Sequence, residues 1–162
     1  KAVLKKRDID INEMVESIGN SFTLRVEHTG GKVYTEIEAL DSRIYVDEMH
    51  FQNVVFNLLD NAVKYRKPDQ PLNVYIKTWN EGKKVCLSIK DNGVGIKKDN
   101  LKKVFDKFFR VHTGNVHDVK GFGLGLAYVK KMIDLFEGEI HVDSELGEGT
   151  VFTIKLPFMD KN

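Results

Sequence analysis

The sequence predicts an α+β fold: a two-layer α/β sandwich with a mixed, mainly antiparallel sheet and helices gathered on one face. Three observations carry this expectation. Residues 47–65 (DEMHFQNVVFNLLDNAVKY) place Phe51, Val54, Val55, Leu58, Leu59 and Ala62 at helical spacing, as one apolar stripe. Two pairs of alternating runs, 73–79 with 85–91 and 140–144 with 151–156, are joined by turn residues at 80–83 and 147–149, a hairpin signal each time. The order strands, helix, hairpin, loop, helix, hairpin is not the regular strand–helix alternation of a parallel fold.

The elements follow in order. Residues 1–7 (KAVLKKR) are basic and read as a linker or the frayed end of a preceding helix. Residues 10–20 carry Ile11, Met14, Val15 and Ile18 at helical spacing, with Gly19 as the expected stop. Phe22, Leu24 and Val26 alternate with polar residues and predict a strand. Thr29-Gly30-Gly31-Lys32 turns the chain into a returning strand over 33–38, and Ile44 and Val46 mark a short third strand. Asp47 is a suitable N-cap for the central helix, which is expected to end near Arg66, before Pro68. After the first hairpin, Leu101, Val104, Phe105 and Phe108 predict a short amphipathic helix. Residues 109–120 have no periodicity and read as a long loop. A helix then carries Val129, Met132, Ile133 and Phe136 inward and stops at Gly138, and Pro157 ends the last strand. The expected organisation is a linker or the end of a preceding helical domain at 1–10, one domain over 11–158, and a tail at 159–162.

Composition narrows the function classes. The chain has 162 residues, 41% of them hydrophobic, enough for one domain with a real core. A net charge of +1 supplies no strong field toward nucleic acid or membrane. Cys86 is the single cysteine and reads as a small buried residue, and the five histidines have no zinc spacing. No apolar run reaches the ~18 residues of a membrane span. The first residue is lysine rather than methionine, so the chain is expected to be a piece of something longer.

Three features point to a polar ligand. Asn53, Asn57, Asn61 and Lys64 form a row on the central helix beside the apolar stripe. A solvated helix face usually carries Glu and Lys, and Asn is a mediocre helix former, so a row of amides favours a binding face. Asp91 ends a strand and is followed by Gly93 and Gly95, which permit positive φ or close approach to the backbone. This is either a simple turn or a site where the carboxylate accepts a hydrogen bond from an exocyclic amine. Gly121, Gly123 and Gly125 open a helix, so backbone N–H groups and the positive helix end face the same way, as a phosphate requires. The glycines follow a polar loop rather than a strand, which excludes a dinucleotide fingerprint, and no Lys-Ser or Lys-Thr follows them as in a P-loop. Together these features suit a nucleotide and its metal. Asn amide oxygen is a hard donor for Mg2+, Lys64 and Arg110 can balance phosphate charge, and the loop between the glycine sites is a candidate lid.

Five segments in order resemble the boxes of sensor histidine kinases. Residues 57–65 (NLLDNAVKY) resemble the asparagine box, 91–95 (DNGVG) the first glycine box, and 104–110 (VFDKFFR) the phenylalanine box. Residues 121–126 (GFGLGL) resemble the second glycine box and 147–150 (GEGT) the trailing one. The resemblance implies the Bergerat ATP-binding fold shared with gyrase, heat-shock chaperone and mismatch-repair ATPases. It implies that Asn61 ligates Mg2+, that Asn57 and Lys64 lie near the phosphates, Tyr65 near base or ribose, and Asp91 on the adenine amine. Gly93 and Gly95 would shape the adenine pocket, Thr150 would support the base side, and Arg110 with the backbone of Gly121, Gly123 and Gly125 would meet phosphates. Ile96, Phe105, Lys120, Phe122, Leu124 and Leu126 complete the implied nucleotide-binding set. Phe122 departs from the small hydroxyl residue common at its place.

A phosphoacceptor box, a histidine followed by an acidic residue on a helical hairpin, is absent, and neither His28 nor His50 matches it. In the family that hairpin carries the general base, so no catalytic residue beyond phosphate positioning is expected here. The implied function is to bind Mg-ATP and donate the γ-phosphate to a histidine of a separate dimerisation domain. The implied partners are that helical hairpin and a response regulator receiver domain. The expected location is the cytoplasmic portion of a membrane-bound bacterial sensor kinase. A regulatory nucleotide-binding module without transfer activity, or another ATPase of this fold, are the alternatives.

Overall fold

Ile11, Val15, Ile18, Phe22 and Val26 fall three or four residues apart. In the computed structural model, which describes residues 3–106 and 123–159, they form the buried face of one long helix, α1 (Ile11–Glu27). Asp10 caps it, accepting the Asn12 N–H at 2.9 Å. Two expectations are corrected here. Gly19 does not stop the helix, and Phe22, Leu24 and Val26 are not a strand. Phe22 and Val26 fit a step of four as well as a step of two, and Leu24, which completes the alternation, is 77% exposed. Gly19 is buried against the sheet: a Cβ there would lie 3.5 Å from Ile76 Cδ1.

A strand also lies inside the segment 1–10 expected to be a linker. β1 (Lys6–Asp10) pairs antiparallel with β3 (Arg43–Asp47) as a separate two-stranded sheet. The Lys5 N–H donates to Asp47 Oδ2 at 2.8 Å, while Asp47 Oδ1 accepts the His50 N–H at 3.1 Å. One buried carboxylate therefore anchors β1 and caps α2 (Glu48–Lys64), whose buried stripe is the expected one from Phe51 to Ala62.

The main sheet has the order β2-β4-β5-β7-β6. Its strands are β2 (Val33–Ile37), β4 (Val74–Glu81), β5 (Lys84–Asp91), β6 (Glu139–Glu145) and β7 (Gly149–Pro157). Only β2 and β4 run parallel, so the sheet is mixed and mainly antiparallel, as expected. α1 packs on β2 and β4, α2 on β5, and α4 (Gly123–Leu135) on β6 and on α2. Successive rungs of the helix-facing surface are mainly apolar: Ile76, Ile89, Phe152 and Val142 in one, Thr78, Leu87, Ile154 and Ile140 in the next, where the buried Thr78 hydroxyl donates to Asn12 Oδ1 at 2.7 Å. The opposite face carries Tyr34 stacked on Tyr75 at 4.9 Å, with the Lys90 ammonium 5.9 Å from the Tyr75 ring.

The helix expected over Leu101 to Phe108 is much shorter. α3 (Lys98–Leu101) is a single turn, followed by turns that bury Val104 and set Phe105 edge-on to Phe152, with ring centroids 6.2 Å apart. Phe108 and the expected lid lie outside the described residues. Cys86 is buried, as read from sequence, and burial pushes its thiol pKa up.

Candidate functional site

The helix-facing rungs change character at one end of the sheet. After two mainly apolar rungs, the next in register is Val74, Asp91, Thr150 and Ser144. Side chains two apart along a strand share a face, so these three polar groups point to the helical side. Asp91 is 9% exposed and Thr150 8%. A carboxylate placed there has lost most of its water. Burial pushes the Asp91 pKa up to about 6, although the N–H groups of Gly93 and Thr150 both favour the charged form. The Gly93 N–H reaches Asp91 Oδ1 at 2.8 Å.

Backbone clearance explains the glycines that follow. A Cβ on Gly93 would lie 2.5 Å from the Tyr65 carbonyl oxygen, and one on Gly95, at φ +77°, would lie 2.2 Å from that of Glu145. Gly149 would place a Cβ 2.0 Å from the Asp91 carbonyl oxygen. The loop after β5 is thus clamped between the end of α2 and the β6–β7 hairpin. Val94 donates to the Tyr65 carbonyl at 2.9 Å, and Gly147 donates to the Val94 carbonyl at 2.8 Å. Asn92, to which no role was given from sequence, braces the loop from outside by accepting the Asn73 N–H at 2.8 Å and donating to the Pro71 carbonyl at 3.1 Å.

The last two turns of α2 supply the second wall. Asn57 is half-buried and donates its amide N–H to the Asn53 carbonyl at 2.8 Å, which leaves the amide oxygen as an acceptor. Asn61 is also half-buried, and no hydrogen bond of its side chain is made among the described residues. Two amide oxygens one turn apart, accessible and neutral, fit a magnesium ion that keeps several of its waters. Lys64 forms an ion pair with Asp60 at 2.8 Å, and Arg25 reaches the same carboxylate at 2.9 Å. Burial works to raise the Asp60 pKa, but the hydrogen bonds and charges of Lys64 and Arg25 hold it below the usual carboxylate value.

The structure brings Tyr65, Asp91, Gly93, Gly95, Ile96 and Thr150 into one cluster, with Asn57, Asn61 and Lys64 on the helix that ends at it. Phe105 and Leu126 pack against the hydrophobic core. Gly123, Leu124 and Gly125 lie in the first turn of α4. Arg110, Lys120, Gly121 and Phe122 lie outside the described residues. Sequence reasoning gave no role to Ser144, whose hydroxyl joins the loop to the hairpin. Its signal was a polar third member in the Ile140, Val142, Ser144 alternation.

A two-layer sandwich whose sheet ends in a polar rung, between a glycine-cleared loop and an asparagine-bearing helix, is the architecture of an ATP-binding domain. The chain belongs to the family of histidine kinase-, DNA gyrase B- and HSP90-like ATPases, whose model matches residues 46–160. It is 57% identical over 159 residues to the sensor protein RprX of Bacteroides fragilis, an alignment covering 98% of this chain and 31% of that protein. The nucleotide-free catalytic domain of histidine kinase ThkA has the same fold, with a TM-score of 0.82 at 23% identity over 97% of this chain and 100% of that one. Full-length ShkA in complex with AMPPNP matches with a TM-score of 0.79 at 26% identity, over 97% of this chain and 32% of that one. The chain therefore spans about a third of the length of RprX and of ShkA.

Proposed function

We propose that this chain is the catalytic ATP-binding domain of a sensor histidine kinase. It would hold Mg-ATP and present the γ-phosphoryl group to a histidine on a separate helical hairpin. The observation that carries the reading is the buried Asp91 carboxylate at the end of the sheet, on a loop that Gly93, Gly95 and Gly149 allow to pack tightly against α2 and the β6–β7 hairpin. An ionised group in a nearly dry place is costly and needs a function. An adenine amine would add a donor to those of Gly93 and Thr150.

The residues then divide the work. Asp91 and Thr150 orient the base, Tyr65 flanks base or ribose, and Asn57, Asn61 and Lys64 face the phosphates from α2. The backbone opening α4, with Arg110 and Lys120, meets the phosphate oxygens. Asn61, assisted by Asn57, would hold magnesium, which would supply positive charge beside the phosphates. In transfer, the bond from the γ-phosphorus to the oxygen it shares with the β-phosphate breaks as a bond to an imidazole nitrogen forms. ADP carries off the electron pair, and the imidazole proton leaves to a base on the hairpin. The chain's own contribution is positioning and charge neutralisation, which is most of what phosphoryl transfer demands. AMPPNP, an ATP analogue, is bound in the ShkA complex, and RprX is a sensor protein; both support the reading.

The onward partner in this scheme is a receiver domain of a response regulator. No helix among the described residues is long and apolar enough to cross a membrane. Because ATP is the cytoplasmic phosphate donor, the domain is assigned to the cytoplasmic side of its parent sensor. The test is a transfer assay. The purified chain, given γ-labelled ATP, magnesium and a histidine-bearing hairpin protein from a related sensor kinase, is expected to yield acid-labile, base-stable label on the hairpin. Nucleotide binding without any label on the hairpin would support a regulatory module instead.

A further inference from the structure

Ser144 is the third polar member of the terminal rung, and its surroundings settle where its proton lies. The Ile96 N–H donates to Ser144 Oγ at 2.8 Å. The Gly149 carbonyl oxygen lies 2.8 Å from the same Oγ, and Thr150 Oγ1 also lies 2.8 Å from it. A hydroxyl has one proton and two lone pairs. A carbonyl can only accept, so the Ser144 proton must lie on the line to Gly149. One lone pair takes the Ile96 N–H. The other is left for Thr150, which must donate. The hydroxyl of Ser144 is then saturated, and the Thr150 proton is committed to it. Among the described residues, Thr150 Oγ1 has no other side-chain partner. What Thr150 offers beyond Ser144 is lone pairs only.

We infer that Ser144 is a positioning residue for base selection: by holding the Thr150 proton, it makes the Asp91–Thr150 wall of the nucleotide pocket acceptor-only. Such a wall pairs with the amine at position 6 of adenine and opposes the carbonyl oxygen at that position in hypoxanthine. Ser144 does this without touching the nucleotide. It also ties the loop after β5 to the β6–β7 hairpin, so one hydroxyl sets both the spacing and the polarity of the base site. The inference rests on the reading of Asp91 and Thr150 as the base side of an ATP site.

The experiment compares ADP with inosine diphosphate by calorimetry on the 162-residue chain. In Ser144→Ala the Thr150 hydroxyl is free to turn and donate. Inosine diphosphate affinity is then expected to rise about three- to tenfold, the worth of one neutral hydrogen bond, while ADP affinity does not rise. A gain of binding is not what structural damage produces. Ser144→Thr keeps the hydroxyl and is expected to restore the wild-type preference. In the double variant Ser144→Ala/Thr150→Val the gain is expected to vanish. Thr150→Val alone leaves the other two hydrogen bonds of Ser144 in place, so it serves even if Ser144→Ala does not fold; it should weaken ADP and not inosine diphosphate. Equal losses for both ligands in Ser144→Ala, an unchanged ratio, or equal losses in Thr150→Val would overturn the inference while leaving the ATP site intact. If wild-type chain fails to bind ADP, or Asp91→Ala binds it as well as wild type does, the reading of the site falls and this inference with it.

Discussion

Asp91 concentrates the conflict between stability and function in one side chain. Its pKa is about 6 in the fold against 3.8 for a free aspartate. The folded value is the higher one, so the stability linked to this group is fully present below about 3.8 and is lost as pH rises through about 6. At neutral pH the ionised carboxylate costs the fold about 3 kcal/mol, from a shift of about two units. The stability difference between Asp91→Asn and wild type, from urea unfolding, should therefore move in favour of wild type as pH falls from 7 to 4. A difference that does not vary with pH would contradict burial of a charged group. The same protonation removes the negative charge and turns one oxygen into a donor, so ADP binding should weaken over that interval. Asp91→Ala should weaken ADP by about 1.5–3 kcal/mol at pH 7.5, the range for a hydrogen bond to a charged group. Asn61 makes a separate prediction. Asn61→Ala should abolish the gain in ATP affinity that magnesium provides, and an equal gain in variant and wild type would remove Asn61 as the metal ligand.

Elements are where local pattern and tertiary setting part company. The α2 stripe, the β4–β5 hairpin and the β6–β7 hairpin were legible because their apolar period is unambiguous over many residues. α1 was only half legible. Phe22, Leu24 and Val26 satisfy a strand period, and Gly19 resembles a helix stop, yet the helix runs through both. The deciding contact is Gly19 against Ile76, which exists only once the sheet is assembled. Two glycines should therefore respond in opposite ways. Gly19→Ala adds a Cβ in ordinary contact inside a helix and should stabilise by up to about 1 kcal/mol. Gly95→Ala must adopt φ +77° and place a Cβ 2.2 Å from the Glu145 carbonyl oxygen, so a loss of at least about 2 kcal/mol is expected. Thermal melts of the two variants decide the matter, and destabilisation by Gly19→Ala would mean that the α1–sheet contact leaves no room for a methyl group.

At the scale of the whole molecule, part of the segment whose composition suggested a linker is a paired strand. Basic residues hid β1, whose partners are the distant β3 and the Asp47 carboxylate. Deleting residues 1–8, which spares the Asp10 cap, should lower stability by about 2 kcal/mol, the net worth of a few hydrogen bonds. An unchanged unfolding midpoint would make the segment a linker after all. The boxes that carry the family resemblance stand out because each is a short string of its own residue types: amides at four-residue steps, an aspartate before two glycines, alternating glycines at 121–125. The sequence by itself determined the layer type, both hairpins and the core stripe of α2, and it singled out Asp91, Gly93, Gly95 and Thr150, which the fold brings together. Only the tertiary structure decided that Asp91, Thr150 and Ser144 are neighbours on one rung, that Lys64 shares Asp60 with Arg25, and that Ser144 directs the Thr150 proton. The reason is physical. A period or a glycine signal is set by residues a few positions apart, whereas the state of a carboxylate or a hydroxyl is set by the water it has lost and the partners that strand pairing brings from far along the chain.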